Sequence, residues 1–306
     1  MISEKIKYAP LGELSTPDAL ALVLECDREF DAALEAKVAR ICEVAPKVIR
    51  LSGPTCSGKS TVVKKIVAEL QKQGKTVHTV SIDDFYYDRE TLHKISAESG
   101  DGEIDYDSIK TIDIEAIRAL VDKIDEGGEL RIPIFDFKVG GPVGYRSVLA
   151  SAEDVFIFEG IQAIYPEIKA LFEGHECVDV HIAPFDKIAL GEDVFSANEI
   201  RFLRRIVRDS HFRNTSAEFT FKIWKSVREN EEDNIFPYVL ECDYYIEASF
   251  AYEIGVLKPY LCEYLGAIDK SSEYKGAADE ILARIAPAAE IPSELIPEAS
   301  VYREFV

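Results

Sequence analysis

The sequence predicts an α/β protein built on a doubly wound parallel sheet, and three observations predict it. Short apolar runs recur at residues 48–51, 76–82, 154–158, 178–183 and 243–246, with helical patterns between them. A glycine-rich loop at 53–60 stands between the first run and a helix-forming stretch at 61–73 that Gly74 stops. Acidic residues close two of the runs: Asp83 and Asp84 after the second, Glu159 after the third. Strands alternating with helices imply a sheet covered on both faces, with ligands held at the carboxyl ends of the strands.

Ahead of the first strand, Thr16-Pro17-Asp18 reads as a helix cap, a proline in the first turn and an acid that suits the helix dipole. Val23, Cys26, Phe30, Leu34, Val38 and Ile41 then recur at spacings of three and four. That spacing predicts one amphipathic helix, or two in succession, docked by one face and ended by Pro46. A further helix is expected at 113–125, before Gly127 and Gly128. The connection 84–112 has weak periodicity and many acids and tyrosines, as functional or mobile loops do. The chain therefore divides into an N-terminal helical extension (1–46), a core (47–268) with an arginine-rich lid at about 199–237, and a C-terminal helix and tail (269–306). The tail carries one short helix at 277–285 and a proline-containing segment, and no chemistry is legible in it.

Composition narrows the class. The 306 residues carry 35 lysines and arginines against 56 acids, a net charge of −21. Such a field repels polyphosphate backbones, so nucleic acid is not an expected partner. A small anionic nucleotide still binds where a local nest of N–H groups, a lysine and Mg2+ oppose that field. The sequence has no apolar run long enough for a membrane span, and Met1-Ile2-Ser3-Glu4-Lys5 does not begin an export signal. Six scattered cysteines without a CxxC pair suggest reduced thiols in a cytoplasmic protein.

The loop Gly53-Pro54-Thr55-Cys56-Ser57-Gly58-Lys59-Ser60-Thr61 matches G-x-x-x-x-G-K-[ST] in its strand–loop–helix setting. Glycines let backbone N–H groups close on a phosphate, and the helix N-terminus opposes its charge. Lys59 is placed to reach the β- and γ-phosphates of ATP, and the Ser60 hydroxyl to ligate Mg2+. Glu159, at the tip of an apolar strand, suits the same metal. A carboxylate at the end of the second strand would face the γ-phosphate and accept a hydroxyl proton, although adjacent acids also suit a turn or cap. Arg201, Arg204, Arg205 and Arg208 fall at helical spacings and share a face expected to meet phosphate, with Arg213 following. The alternative is a salt-bridged surface helix.

These motifs, in order from residue 48 to about 258, resemble the phosphoribulokinase/uridine kinase family of P-loop kinases. The matching stretches are the phosphate loop, SIDDFYY, YDSIKTID, IPIFDF, FEGIQA and RFLRRIVRD, followed by SVRENEEDNIFP and YEIGVLKP. The last two look like a bacterial, uridine kinase-like branch. The resemblance implies transfer of the γ-phosphoryl group of ATP, with Mg2+, to a nucleoside 5′-hydroxyl. It assigns Asp83 as general base, Tyr86 and Phe135 as aromatics of the acceptor pocket, and Asp107 as the acid holding ribose hydroxyls. Arg205, Arg208 and Arg213 match lid arginines at the phosphates. Two positions depart: Gly140 stands where the uridine kinases carry a histidine that contacts the pyrimidine, and Thr215 replaces a lid arginine. Competing expectations are a phosphoribulokinase-like or pantothenate kinase-like acceptor, or a nucleotide sensor with weak catalysis. The partner is a small molecule, with homo-oligomerisation left open. The stretch 243–250 is the expected wall of the adenine site.

Overall fold

The computed structural model describes residues 4–99 and 106–306, with only the backbone at 98 and 99. The first residues of the stretch read for an export signal, and the acidic centre of the 84–112 connection, lie outside them. A short strand, β1 (Ile6–Tyr8), leads into one helix of 29 residues, α1 (Thr16–Val44). Its cap is Ser15, one residue earlier than expected, whose Oγ accepts from Asp18 N at 3.3 Å. Val23, Phe30, Leu34, Val38 and Ile41 are buried and Cys26 partly so, as the spacing requires.

β2 (Val48–Ser52) runs into the phosphate loop and α2 (Lys59–Lys72). β3 (Val77–Ser81) ends in a 3-10 turn, Ile82–Phe85. After α3 (Arg89–Ser99) and α4 (Ile114–Val121), the chain forms an antiparallel hairpin, β4 (Gly128–Asp136) with β5 (Gly141–Ala150). β6 (Val155–Glu159), the one-turn α5 (Pro166–Lys169) and β7 (Cys177–Ala183) follow. β8 (Lys187–Leu190) and β9 (Asp193–Phe195) then precede the helices α6 (Ala197–Phe212) and α7 (Ala217–Asn234). The chain continues through α8 (Phe236–Val239), β10 (Tyr244–Glu247), α9 (Glu253–Gly266) and α10 (Lys275–Ile285).

Five strands form a parallel sheet in the order β10-β7-β2-β6-β3. Its residues alternate between two apolar clusters. Ile49, Leu51, Ile157 and Val180 face α1, α2, α6, α9 and α10, whereas Val48, Phe156, Phe158 and Val80 face α4, α8 and the hairpin. That double burial explains why the strands read as nearly continuous apolar runs. Register places Leu51 beside Glu159, and Glu159 beside Ser81. The phosphate loop, the Asp83 turn and the Glu159 turn therefore leave the sheet at one level. Among the described residues, no helix is long and apolar enough to cross a membrane.

Several elements were not legible. β1 pairs with β8 across about 180 residues, and β8 with β9, in a separate small sheet. The β4–β5 hairpin was missed because Val143, Tyr145 and Leu149 point outward, so the alternation carries no clear core face. The tail is not silent either: Val301, Tyr302 and Phe305 are buried against the cluster that holds α2 and α6.

Candidate active site

The phosphate loop is closely packed. A Cβ on Gly53 would press into Ile182 O, and one on Gly58 into Val301 Cγ1. Gly58 has φ +92° and Cys56 φ +58°, the left-handed turns that let consecutive N–H groups converge. Ser57 Oγ is buried without a hydrogen-bond partner, an orphaned donor inside the cradle. Lys59 Nζ donates to Gly53 O at 2.7 Å and Pro54 O at 3.2 Å, which keeps its charge at the loop mouth. These features fit a bound polyphosphate. Ser60 and Glu159 line one cleft of about 590 Å3 together with Lys64, Ser81, Asp84 and Arg146. A hydroxyl and a carboxylate at that spot are the oxygen donors that Mg2+ takes.

Asp83 occupies the 3-10 turn after β3. Burial, and next the negative charge of Glu159, push its carboxyl up to about 6, while Lys59 and Arg213 pull the other way. The carboxylate of its neighbour Asp84 is engaged differently, since Oδ1 accepts from Phe135 N at 3.1 Å and pins the hairpin to the turn. The two acids left open by spacing are thus separated by their partners.

The hairpin delivers Phe135 by an irregularity. Leu130 and Ile132 point inward, and the pairing register then shifts between Ile134 and Phe135. The shift turns Phe135 inward where strict alternation would have buried Ile134. Its ring packs edge-on to Tyr86 at 5.6 Å and to Phe137 at 5.0 Å. Tyr86 donates its hydroxyl to Tyr106 O at 2.7 Å, so its phenol is engaged and its ring completes an aromatic wall with Phe135 and Phe137. Asp107 is half-buried beside this wall, and its backbone oxygen accepts from Tyr165 Oη at 3.1 Å.

Gln162 was not singled out in the sequence. Fully buried, it donates Nε2 to Tyr106 O at 2.9 Å and to Tyr86 Oη at 3.2 Å. It thereby ties the segment that bears Asp107 to the turn after Glu159. Its place in FEGIQA was the only available signal. His181, paired in register with Ser52, was also missed. Burial first, then the charges of Lys59 and Arg201, press its imidazole down to about 3, so it is neutral.

The arginines divide. Arg201, Arg204 and Arg208 are buried, contrary to the expected open face, and what separates them is their partners. Arg201 Nη1 donates to Glu231 Oε2 at 2.9 Å, and Arg204 Nε to Glu253 Oε2 at 2.7 Å. The reason is that α6 is wedged among the phosphate loop, α7 and α9. Arg205, Arg208 and Arg213 instead gather on Asp209, with Nε atoms at 3.2, 2.8 and 3.6 Å from its carboxylate oxygens. Arg208 Nη2 also donates to Thr55 Oγ1 at 3.4 Å. Thr215 closes the turn after the helix, its N donating to the Asp209 backbone oxygen at 3.0 Å. Gly140, at the hairpin tip with φ +75°, lies under the Arg89 guanidinium, which a Cβ would approach to 2.7 Å.

The model of the phosphoribulokinase/uridine kinase family matches residues 48–251. The chain is 26% identical over 182 residues to a uridine kinase of Ureaplasma parvum, covering 60% of this chain and 78% of that one. It is 30% identical over 179 residues to uridine-cytidine kinase 2-B of Danio rerio, covering 56% and 61%. Among solved structures, a putative fructose transport system kinase from Silicibacter sp. TM1040 superposes with a TM-score of 0.46 at 18% identity, over 69% of this chain and 98% of that one.

Proposed function

Since this chain belongs to the phosphoribulokinase/uridine kinase family and is a phosphotransferase with an alcohol acceptor, we propose that it phosphorylates the 5′-hydroxyl of a nucleoside at the expense of ATP. The observation that carries the reading is the convergence of the phosphate loop, the Asp83 turn and the Glu159 turn at one edge of the sheet, with Tyr86, just after the Asp83 turn, packed ring to ring with Phe135 and Phe137. The loop N–H groups and Lys59 hold the β- and γ-phosphates, with Lys59 exchanging Gly53 O and Pro54 O for phosphate oxygens. Ser60 and Glu159 would hold Mg2+, which would supply positive charge to offset the charge on the phosphates. Asp83 orients the acceptor hydroxyl and takes its proton. A carboxyl raised to about 6 is a better base than an ordinary one and is still ionised near neutrality. Arg205, Arg208 and Arg213 offset charge on the transferred group.

The acceptor's ring stacks on aromatic faces, which tolerate any base. Asp107 takes the ribose diol, so ribonucleosides are favoured over 2′-deoxyribonucleosides. Gly140 offers no imidazole, and the Arg89 guanidinium fills the space above it, so base selectivity is broad. The acids Asp83, Asp84, Asp107 and Glu159 disfavour an already phosphorylated acceptor such as a sugar phosphate. Acceptor-dependent ADP release, run with Mg-ATP over nucleosides, sugar phosphates and pantothenate-like alcohols, tests this. Release with ribonucleosides of several bases is expected. Release only with a sugar phosphate or an alcohol replaces the acceptor, and release with none makes the protein a nucleotide sensor.

A further inference from the structure

The inner side of a phosphate loop presents N–H groups, so its outer carbonyls need donors of their own. Here α6 supplies them. Thr55 O accepts from Arg201 Nε at 3.3 Å and Cys56 O from Arg204 Nη1 at 3.2 Å. Arg204 is fully buried, and a buried guanidinium persists only when its charge and its donors are matched. Glu253 does this through two bonds, Nε to Oε2 at 2.7 Å and Nη2 to Oε1 at 3.1 Å, and Ala248 O adds a third at 2.6 Å.

Beyond the family-matched residues, the segment 300–305 completes this arrangement. Tyr302 Oη donates to Glu253 Oε2 at 3.2 Å. The Arg204 guanidinium lies 5.4 Å from the centre of the Tyr302 ring and 4.7 Å from that of Phe305. Val301 packs on Gly58, so closely that no Cβ fits between them. Glu304 adds its charge to the field at Arg208. Two of these contacts bear on the loop itself, Arg204 at Cys56 O and Val301 at Gly58.

We propose that the segment 300–305 is a positioning element for the nucleotide phosphates, acting through Arg204 on the Cys56 carbonyl and through Val301 on the Gly58 turn. Tyr302 is its central positioning residue. It touches no substrate; it holds the guanidinium that fixes the outer carbonyl, and with it the inward aim of the neighbouring N–H groups. The proposal requires only a nucleotide and is independent of the acceptor's identity.

The test is calorimetric binding of Mg2+ with the β,γ-imido analogue of ATP, of ADP and of AMP to the full chain. Tyr302→Phe keeps the ring and removes the hydroxyl's contacts with the Glu253 carboxylate and backbone oxygen, so binding of the ATP analogue and ADP should weaken by roughly fivefold to tenfold. AMP, which lacks the β-phosphate, should bind as to wild type. Phe305→Leu provides a second variant with the same expected pattern. Ile285→Val, buried in the same apolar cluster on α10, supplies a control for lost stability. Unchanged ATP-analogue binding in both variants would overturn the proposal. So would weakening of AMP in equal proportion, or a loss that Ile285→Val reproduces at a matched fall in Tm.

Discussion

Two groups of arginines on one helix, α6, meet different fates. Arg201 and Arg204 are matched by carboxylates from other elements. Arg201 shares Glu231 with Arg228, which also takes Glu232, and Arg204 has Glu253 to itself. Among the described residues, Arg205, Arg208 and Arg213 share a single ion-pair partner, the buried Asp209. Even with Glu304 in the field of Arg208, this second group keeps surplus positive charge at the loop mouth. The first group is neutralised and structural. In the proposed function the second retains charge for an anionic ligand. Helical spacing shows that arginines share a face, but the count of carboxylates arriving from elsewhere decides what that face can do.

The contrast is broken most directly at the neutralised side. Arg204→Ala leaves Glu253 buried without its cation, and should destabilise the fold by about 3–5 kcal/mol in urea unfolding. A stability loss below about 1 kcal/mol would mean that Glu253 finds water or protonates without penalty, and the division would fail. On the other side, Arg208→Ala should lower kcat by about 10²-fold, with a much smaller fall in Tm. Loss of Tm without loss of kcat would return Arg208 to the structural group. Lys59→Ala should behave like Arg208→Ala, because among the described residues its bonds are to loop carbonyls.

Asp209→Asn sharpens the comparison. It removes the shared anion and keeps the shape, so the three arginines repel and lose their common orientation. A fall in kcat of about tenfold is expected, with the KM for ATP changed less. An increase in ATP affinity with unchanged kcat would show that Asp209 only restrains charge and does not aim it.

The smallest expected change in stability concerns the anion facing these cations. Asp83 has a folded-state value of about 6 against an ordinary 3.8. A carboxyl raised in this way stabilises the fold by protonation only at low pH. That contribution is full below 3.8, shrinks as pH rises, and is gone above about 6. Asp83→Asn should therefore raise stability at pH 8, on the order of 1 kcal/mol after solvent screening is allowed for, while cutting kcat strongly. In the wild type, kcat/KM should fall as pH drops through about 6. A flat profile between pH 5 and 8, read at about one-unit intervals, would remove Asp83 as the base.

What could be read from the sequence follows from how far the interacting groups lie apart in the chain. The phosphate loop is legible because a strand, two glycines, a lysine and a serine must be contiguous to wrap one phosphate. The strands of the central sheet are legible because burial on both faces demands unbroken apolar runs. Asp83 and Glu159 stand out because each closes such a run. The sequence by itself therefore determined the sheet, the loop and the acids at its edge. Only the tertiary structure decided the partners. Glu231 and Glu253 lie 30 and 49 residues from the arginines that they neutralise, and Gln162 lies 76 from Tyr86. Tyr302 reaches the loop only through Arg204 and Glu253, and Phe135 turns inward through a shift in pairing that no local pattern records. Charge neutralisation and burial depend on which groups the folded chain brings within a few ångströms, and that proximity does not exist until the sheet has been assembled.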